Sequence, residues 1–263
     1  MSTLSYAVAD SATMLRRDLR HMLRYPSMTL QLVGMPIVIL LLFVYVFGGT
    51  LGAGLGRAAG GRAQYLEYVV PGILLMTVAA KVQGTAISVA MDMTEGIVAR
   101  FRTMAIFRPS VLTGHVLGSL IQSILSLAIV TGVAMLIGFR TSASAVEWIA
   151  AAGTLALITF ALTWLSVALG MVAKTVESAS NLPMPLVFLP FLGSGFVPTD
   201  SMPTALRWFA EYQPFTPVIE TVRGLLLGTA IGNSAVIAIA WCAGITLVGY
   251  LWALKLYNRD PAK

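Results

Sequence analysis

Charge is missing from this chain in blocks. Six stretches, roughly 28–47, 69–91, 111–138, 148–173, 178–197 and 234–256, hold at most one charged side chain apiece: Lys81 in the second and Lys255 at the end of the last. A helix needs about 20 apolar residues to cross the hydrocarbon core of a bilayer. A water-soluble domain does not supply that six times over. Charged residues make up 11% of the chain and hydrophobic ones 57%, against about 25% charged in an ordinary globular protein. The expected class is therefore an all-α polytopic membrane protein with six transmembrane helices, forming one transmembrane domain over residues 1–263.

Lys and Arg gather in alternate gaps. The N-terminus, the 92–110 gap, the 174–177 gap and the C-terminal end hold eleven. The other three gaps hold five (Arg57, Arg62, Arg140, Arg207 and Arg223), and Lys81 lies within a span. Basic residues mark the cytoplasmic side, so both termini are expected in the cytoplasm and the protein in the cytoplasmic (inner) membrane. The net charge of +6 reports that topology and attraction to anionic headgroups. No basic stretch is interleaved with aromatics on a soluble domain, so no nucleic acid partner is expected. The single Cys242 excludes an intramolecular disulfide and a Cys-based metal cluster, and His21 and His115 lack ligand-like spacing. No metal, cofactor or catalytic residue is expected in this chain.

The N-terminal arginines Arg16, Arg17, Arg20 and Arg24 precede a run too long for a cleaved signal peptide, whose apolar region is about 7–15 residues. Within 10–24, Ala12, Leu15, Leu19, Met22 and Leu23 form one stripe and Arg17, Arg20 and Arg24 lie opposite. That division suits an amphipathic helix in the headgroup plane or one packed on a partner. The 174–177 gap is so short that the fourth and fifth spans must form a hairpin. The glycine-rich 48–68 gap fits neither a dinucleotide fingerprint nor a phosphate loop and reads as a flexible outer loop. The chain holds no GxxxxGK[ST] pattern, so ATP, if it drives this protein, binds elsewhere.

Three regions are candidates for mechanism. The first is the 92–108 segment, with Asp92, Glu95, Gly96, Arg100, Phe101 and Arg102. Ile97, Phe101 and Met104 can share a helical face while Glu95 and Arg102 project away, which suits docking in a partner's groove; the alternative is a solvated loop with topogenic arginines. The second is the proline-rich stretch after Phe188. Proline breaks the helical ladder, so the fifth span should be irregular and end near Gly195–Pro198. Short outer helices are expected within 198–230, marked by Pro198, Met202, Pro203, Tyr212, Pro214 and Pro217, with Glu220 and Arg223 able to pair at i,i+3. Such a half-submerged segment is either an outer gate or a structural lid. The third is Lys81. An ammonium at mid-bilayer costs about 2.5–3.5 kcal/mol on insertion scales, so it must face the bundle, meet water or pair, in a pathway or in a structural role.

Several separated motifs carry a family resemblance: Val70-Pro71-Gly72-Ile73, Asp92 through Gly96 to Arg100-Phe101-Arg102, Gly138-Phe139-Arg140, Gly195-Phe196-Val197-Pro198 with Ser201-Met202-Pro203, and Tyr212-Gln213-Pro214-Phe215-Thr216-Pro217 with Arg223-Gly224-Leu225-Leu226-Leu227-Gly228. Together they resemble the permease subunits of type 2 ABC exporters, daunorubicin-resistance-type branch, over nearly the whole chain. The resemblance implies a six-span subunit with an interfacial N-terminal helix and short re-entrant outer helices at 203–212 and 215–227. It also implies a dimer, with a second copy or a related permease, joined to ABC ATPase subunits that hold the ATP and Mg. Glu95 to Arg102 would be the coupling helix. Where the family often has an acidic residue before Arg-Phe-Arg and a proline after it, this chain has Ala99 and Ala105.

The function expected is ATP-driven export of a lipophilic or amphipathic compound (drug, antibiotic or lipid), with hydrolysis in a separate chain. The alternative is a stand-alone ion- or proton-coupled carrier using Lys81. An integral-membrane enzyme fits poorly, since no nucleophile with a base is placed at a membrane face. The cargo is not written in the sequence.

Overall fold

We describe a computed structural model covering residues 26–53, 61–96 and 109–257. The expected helix at 10–24 and most of the 92–108 segment lie outside the described residues. Among those described, every regular element is helical. Helix α1 (Pro26–Leu42) passes through a π turn at Phe43–Phe47 into α2 (Gly48–Ala53). The long helices α3 (Arg62–Thr94), α4 (Pro109–Leu136) and α5 (Ala145–Val172) follow. Then come the short α6 (Val176–Asn181) and α7 (Met184–Phe188), a 3-10 turn at Leu189–Leu192, α8 (Thr204–Tyr212), α9 (Phe215–Leu227) and the long α10 (Ser234–Tyr257).

Five described helices are long and apolar enough to cross a membrane: Val33–Ala53, Arg62–Thr94, Val116–Leu136, Ala145–Val172 and Ser234–Tyr257. The stretch expected to be the fifth of six spans, 178–197, is not one helix. Pro183, Pro185 and Pro190 fall where a continuous helix would need their N–H groups, and the chain breaks into α6, α7 and the 3-10 turn. It still tracks along α3. Gln83 bonds Ser180, and Tyr68 bonds Ser194. Those two points on α3 are 15 residues apart, about 22 Å of helix.

The expected loop at 48–68 is also shorter than anticipated. Residues 48–53 and 62–68 are helical, because the glycines let α2 close on the start of α3: a side chain on Gly52 would collide with the Gly61 backbone.

Helix ends follow local chemistry. Ser144 and Glu147 form a reciprocal capping box at the start of α5, the Glu147 carboxylate accepting from the Ser144 N–H at 2.6 Å. Gly96 (φ 70°) and Gly228 (φ 68°) take the left-handed conformation just beyond α3 and α9, the usual glycine stop.

Helix α3 is the centre of the bundle and packs on α1, α4, α5, α9 and the broken segment. Lipid gives helices no hydrophobic reason to associate, so close backbone approach through small residues holds them. Gly170 of α5 sits on the Ala86 carbonyl, and Gly249 of α10 on the Trp164–Leu165 backbone. The bundle has two ends. One carries α2, the α4–α5 turn, α8 and α9, tied by the Thr141 hydroxyl to the Leu226 carbonyl. The other carries the end of α3 and the α5–α6 turn.

Candidate functional site

The irregular stretch after Leu192 cannot satisfy its own backbone. Buried carbonyls there must find partners on other elements, and they find them on α3 and α9. The Tyr68 hydroxyl donates to the Ser194 carbonyl (2.8 Å), and the Tyr65 hydroxyl to the Phe196 carbonyl (3.2 Å). Arg223 on α9, only 6% exposed, donates through Nη2 to the Ser194 carbonyl (2.7 Å) and the Tyr68 carbonyl (3.1 Å). Its Nη1 donates to Glu220 at 2.7 Å, the i,i+3 pair that the spacing suggests. Its guanidinium carbon stands 3.9 Å from the centre of the Tyr68 ring, within cation–π range. Planar forks suit such convergent acceptors better than an ammonium would.

The turn between α8 and α9 joins this clamp. The Thr216 hydroxyl donates to the Ala210 carbonyl (2.5 Å) and accepts from the Ser194 N–H (3.3 Å); the Gln213 amide donates to the Leu189 carbonyl (3.0 Å). Pro214 precedes α9, and Pro217 lies in its first turn, where a missing N–H breaks no bond. Pro203 leads into α8, Met202 is half-buried before it, and Pro198 precedes a 3-10 turn at Thr199–Ser201. Tyr212 ends α8, 64% exposed and ring-to-ring with Trp208. On another side of α8, Arg207 bridges Asp200 and Glu211 at 2.7 Å each. All three are exposed, so these pairs orient more than they stabilise. All eight residues expected at the gate thus lie in one segment, and among them Arg223 is the one whose side chain bonds another long helix, at the Tyr68 carbonyl of α3; Tyr65, Tyr68 and Ser194 are not among the residues the sequence singles out. The signals available were two tyrosines at i,i+3 ahead of Val70-Pro71-Gly72, and an arginine in a helix whose one other charged residue is Glu220.

Lys81 belongs to a different neighbourhood. It lies 13 residues past Tyr68 on α3, about 20 Å away along the helix, and is 6% exposed. Thr77 and Thr85 lie one turn to either side of it on α3 and are buried, as are Ser123 and Ser126 of α4 and Thr159, Thr163 and Ser166 of α5. Thr85 bonds Ser119 at 2.9 Å, the Ser166 hydroxyl donates to the Val82 carbonyl, and the Gln83 amide donates to the Ser180 carbonyl and hydroxyl.

At the other end of α3, Asp92 is buried and Glu95 exposed. The Glu95 N–H closes the helix on Met91 (2.9 Å), and that of Gly96 bonds Met93 (3.3 Å). Gly96 therefore has a local structural duty. Arg100, Phe101 and Arg102 lie outside the described residues. Across the α5–α6 turn, Glu177 has its carboxyl held below the ordinary range by its own N–H and by the Thr175 hydroxyl, so this end keeps an exposed negative charge at neutral pH. Among the described residues no cluster of metal-ligating side chains exists.

Residues 11–227 match the family model of ABC-2 type transporters. The chain belongs to the ABC-2 type transporter family. This ABC-2 chain is an integral-membrane permease, in keeping with its apolar helices. It is similar to the daunorubicin resistance ABC transporter permease protein DrrB1 of Streptomyces coeruleorubidus, 28% identical over 97% of this chain and 88% of that protein. It is 25% identical to the probable doxorubicin resistance ABC transporter permease protein DrrC of Mycobacterium tuberculosis, over 70% of this chain and 66% of the relative. The inner membrane transport permease YadH of Escherichia coli is 23% identical over 78% of this chain and 79% of its own length.

Proposed function

We propose that this permease exports a lipophilic or amphipathic compound across the cytoplasmic membrane, driven by ATP hydrolysis in a partner ABC ATPase. The observation that carries the reading is the near full-length similarity to a permease named for daunorubicin resistance. The apolar bundle and its single buried mid-span lysine are consistent with a cargo that is mostly hydrocarbon. Two permease copies, or this one and a relative, would form the pathway. Both termini would be cytoplasmic, so the end of α3 at Thr94 would face the ATPase and α8 and α9 would lie outside. The broken segment 178–197 would then make the remaining crossing, fifth in chain order, which irregular backbone can do when protein covers it. The exposed Trp208 and Tyr212 of α8 suit the headgroup layer.

In this reading Asp92, Glu95 and Gly96 lead into a coupling segment where Phe101 supplies the buried contact and Arg100 and Arg102 orient it. ATP binding moves the permease only through contacts that differ between the partner's two states. The test is reconstitution of the permease with its ATPase in proteoliposomes, with daunorubicin as probe. Nucleotide-dependent accumulation is the expected result. Transport at the same rate with no ATPase and no nucleotide, lost in Lys81→Met and varying with pH, would favour the carrier, a reading that the burial of Lys81 in mid-helix keeps in play.

A further inference from the structure

Pro71 sits inside α3. It has no N–H, so the Glu67 carbonyl lacks its ladder partner and the helix is weakest there. The contacts that residues 193–196 make with α3 fall on both sides of this point. Tyr65 and Tyr68, before the proline, donate to the Phe196 and Ser194 carbonyls. Gly72, after it, meets the Gly195 backbone so closely that a methyl group at either glycine would press on the other strand of chain. Arg223 fastens the assembly, bonding the Ser194 and Tyr68 carbonyls with one nitrogen and covering the Tyr68 ring. Through Thr216 and Gln213 the same stretch is tied to the α8–α9 turn.

We propose that residues 193–196, pinned by Arg223, splint α3 across Pro71, so that α3 and the helices α8 and α9 turn as one body. Movement at the Thr94 end of α3, 23 residues along the helix from Pro71, then arrives at the short helices undiminished. Without the splint, α3 bends at the proline and the motion is lost. Arg223 is a positioning residue. The inference rests on the reading that a nucleotide-driven partner moves the Thr94 end.

Cys242 is the chain's one cysteine and is buried, so a Cys242→Ala background can carry a single reporter at the exposed Ser201 (Ser201→Cys). The measurement is the rate of labelling by a membrane-impermeant maleimide, in the complex with the ATPase, with and without ATP and vanadate. In the reporter background the rate should change about fivefold or more, the scale of ordinary allosteric coupling. Arg223→Ala should bring that ratio near one while the complex still assembles and hydrolyses ATP. Adding Pro71→Ala, which restores the helix ladder, should recover the ratio; a purely structural role for Arg223 would show no such rescue. Should Arg223→Ala fail to insert, Tyr68→Leu removes the ring and hydroxyl and is read in the same way, again with Pro71→Ala. A full nucleotide response in Arg223→Ala, or no rescue by Pro71→Ala, overturns the splint. No nucleotide response in the reporter background overturns the driven-permease reading, and the splint with it.

Discussion

Arg223 and Ser144 mark two kinds of residue that differ in how far they reach. Ser144 acts locally: its hydroxyl and the Glu147 carboxylate close a box three residues long. Ser144→Ala should cost about 1 kcal/mol, seen as a modest fall in the melting temperature of the detergent-solubilised protein with transport intact. That box is readable from Ser-x-x-Glu before an apolar run. The Glu220–Arg223 pair was equally legible, because i,i+3 spacing on a helix is a local fact. What Arg223 also does was not legible. Its bonds to Ser194 and Tyr68 span 29 and 155 residues of sequence, and only the folded chain brings those carbonyls together. Nor does the sequence say that Gly72 must be small. The structure does, since the Gly195 backbone lies against it. Gly72→Val should therefore destabilise more than Ser144→Ala, by roughly 1–3 kcal/mol from overpacking, and the same melting measurement ranks the two.

Among elements, the long helices were easy to foresee because length and apolarity alone define them. Their ends were harder. The start of α3 at Arg62 rather than near 69, and the helical course of 48–53, depend on α2 closing against α3, a tertiary effect that glycine content disguises as a loop. The proline-rich stretch was anticipated to be irregular. Its division into α6, α7 and a 3-10 turn is set by the spacing of Pro183, Pro185 and Pro190 together with partners on α3. Helix α10 shows the opposite case. It is apolar all round, and its buried residues Ala238, Cys242, Gly249, Ala253 and Tyr257 form one narrow seam, with Trp164 edge-on to Tyr250 at 5.0 Å. Hydrophobicity could not reveal which stripe packs. Gly249→Leu should push α10 off the α5 backbone. A hydrogen-exchange experiment should then find faster exchange along α10 and α5 and no change at the clamp; equal protection in both proteins would show that the seam tolerates bulk.

For the whole molecule, three separate neighbourhoods share one helix: the clamp at Tyr65 to Gly72, the stretch around Lys81 from Thr77 to Thr85, and the end at Asp92 to Gly96. Helix α3, of 33 residues, runs about 50 Å, longer than the roughly 30 Å hydrocarbon core, so its ends can address both aqueous faces. If a partner drives one of them, Phe101→Asp should abolish the stimulated ATPase activity of the complex and leave membrane insertion unchanged. A complex that still assembles and turns over normally would remove Phe101 from the docking contact.

The seam of α10 bears on biogenesis. This helix leaves the ribosome after α5 and α9, the two elements it packs against, so until it has emerged the flank of α5 around Trp164 and Leu165 stands bare to lipid. Docking of the last helix is thus a late and separate step of assembly, and a lesion in that stripe would yield a subunit that inserts on schedule but is left incomplete for the cell's quality-control proteases to find.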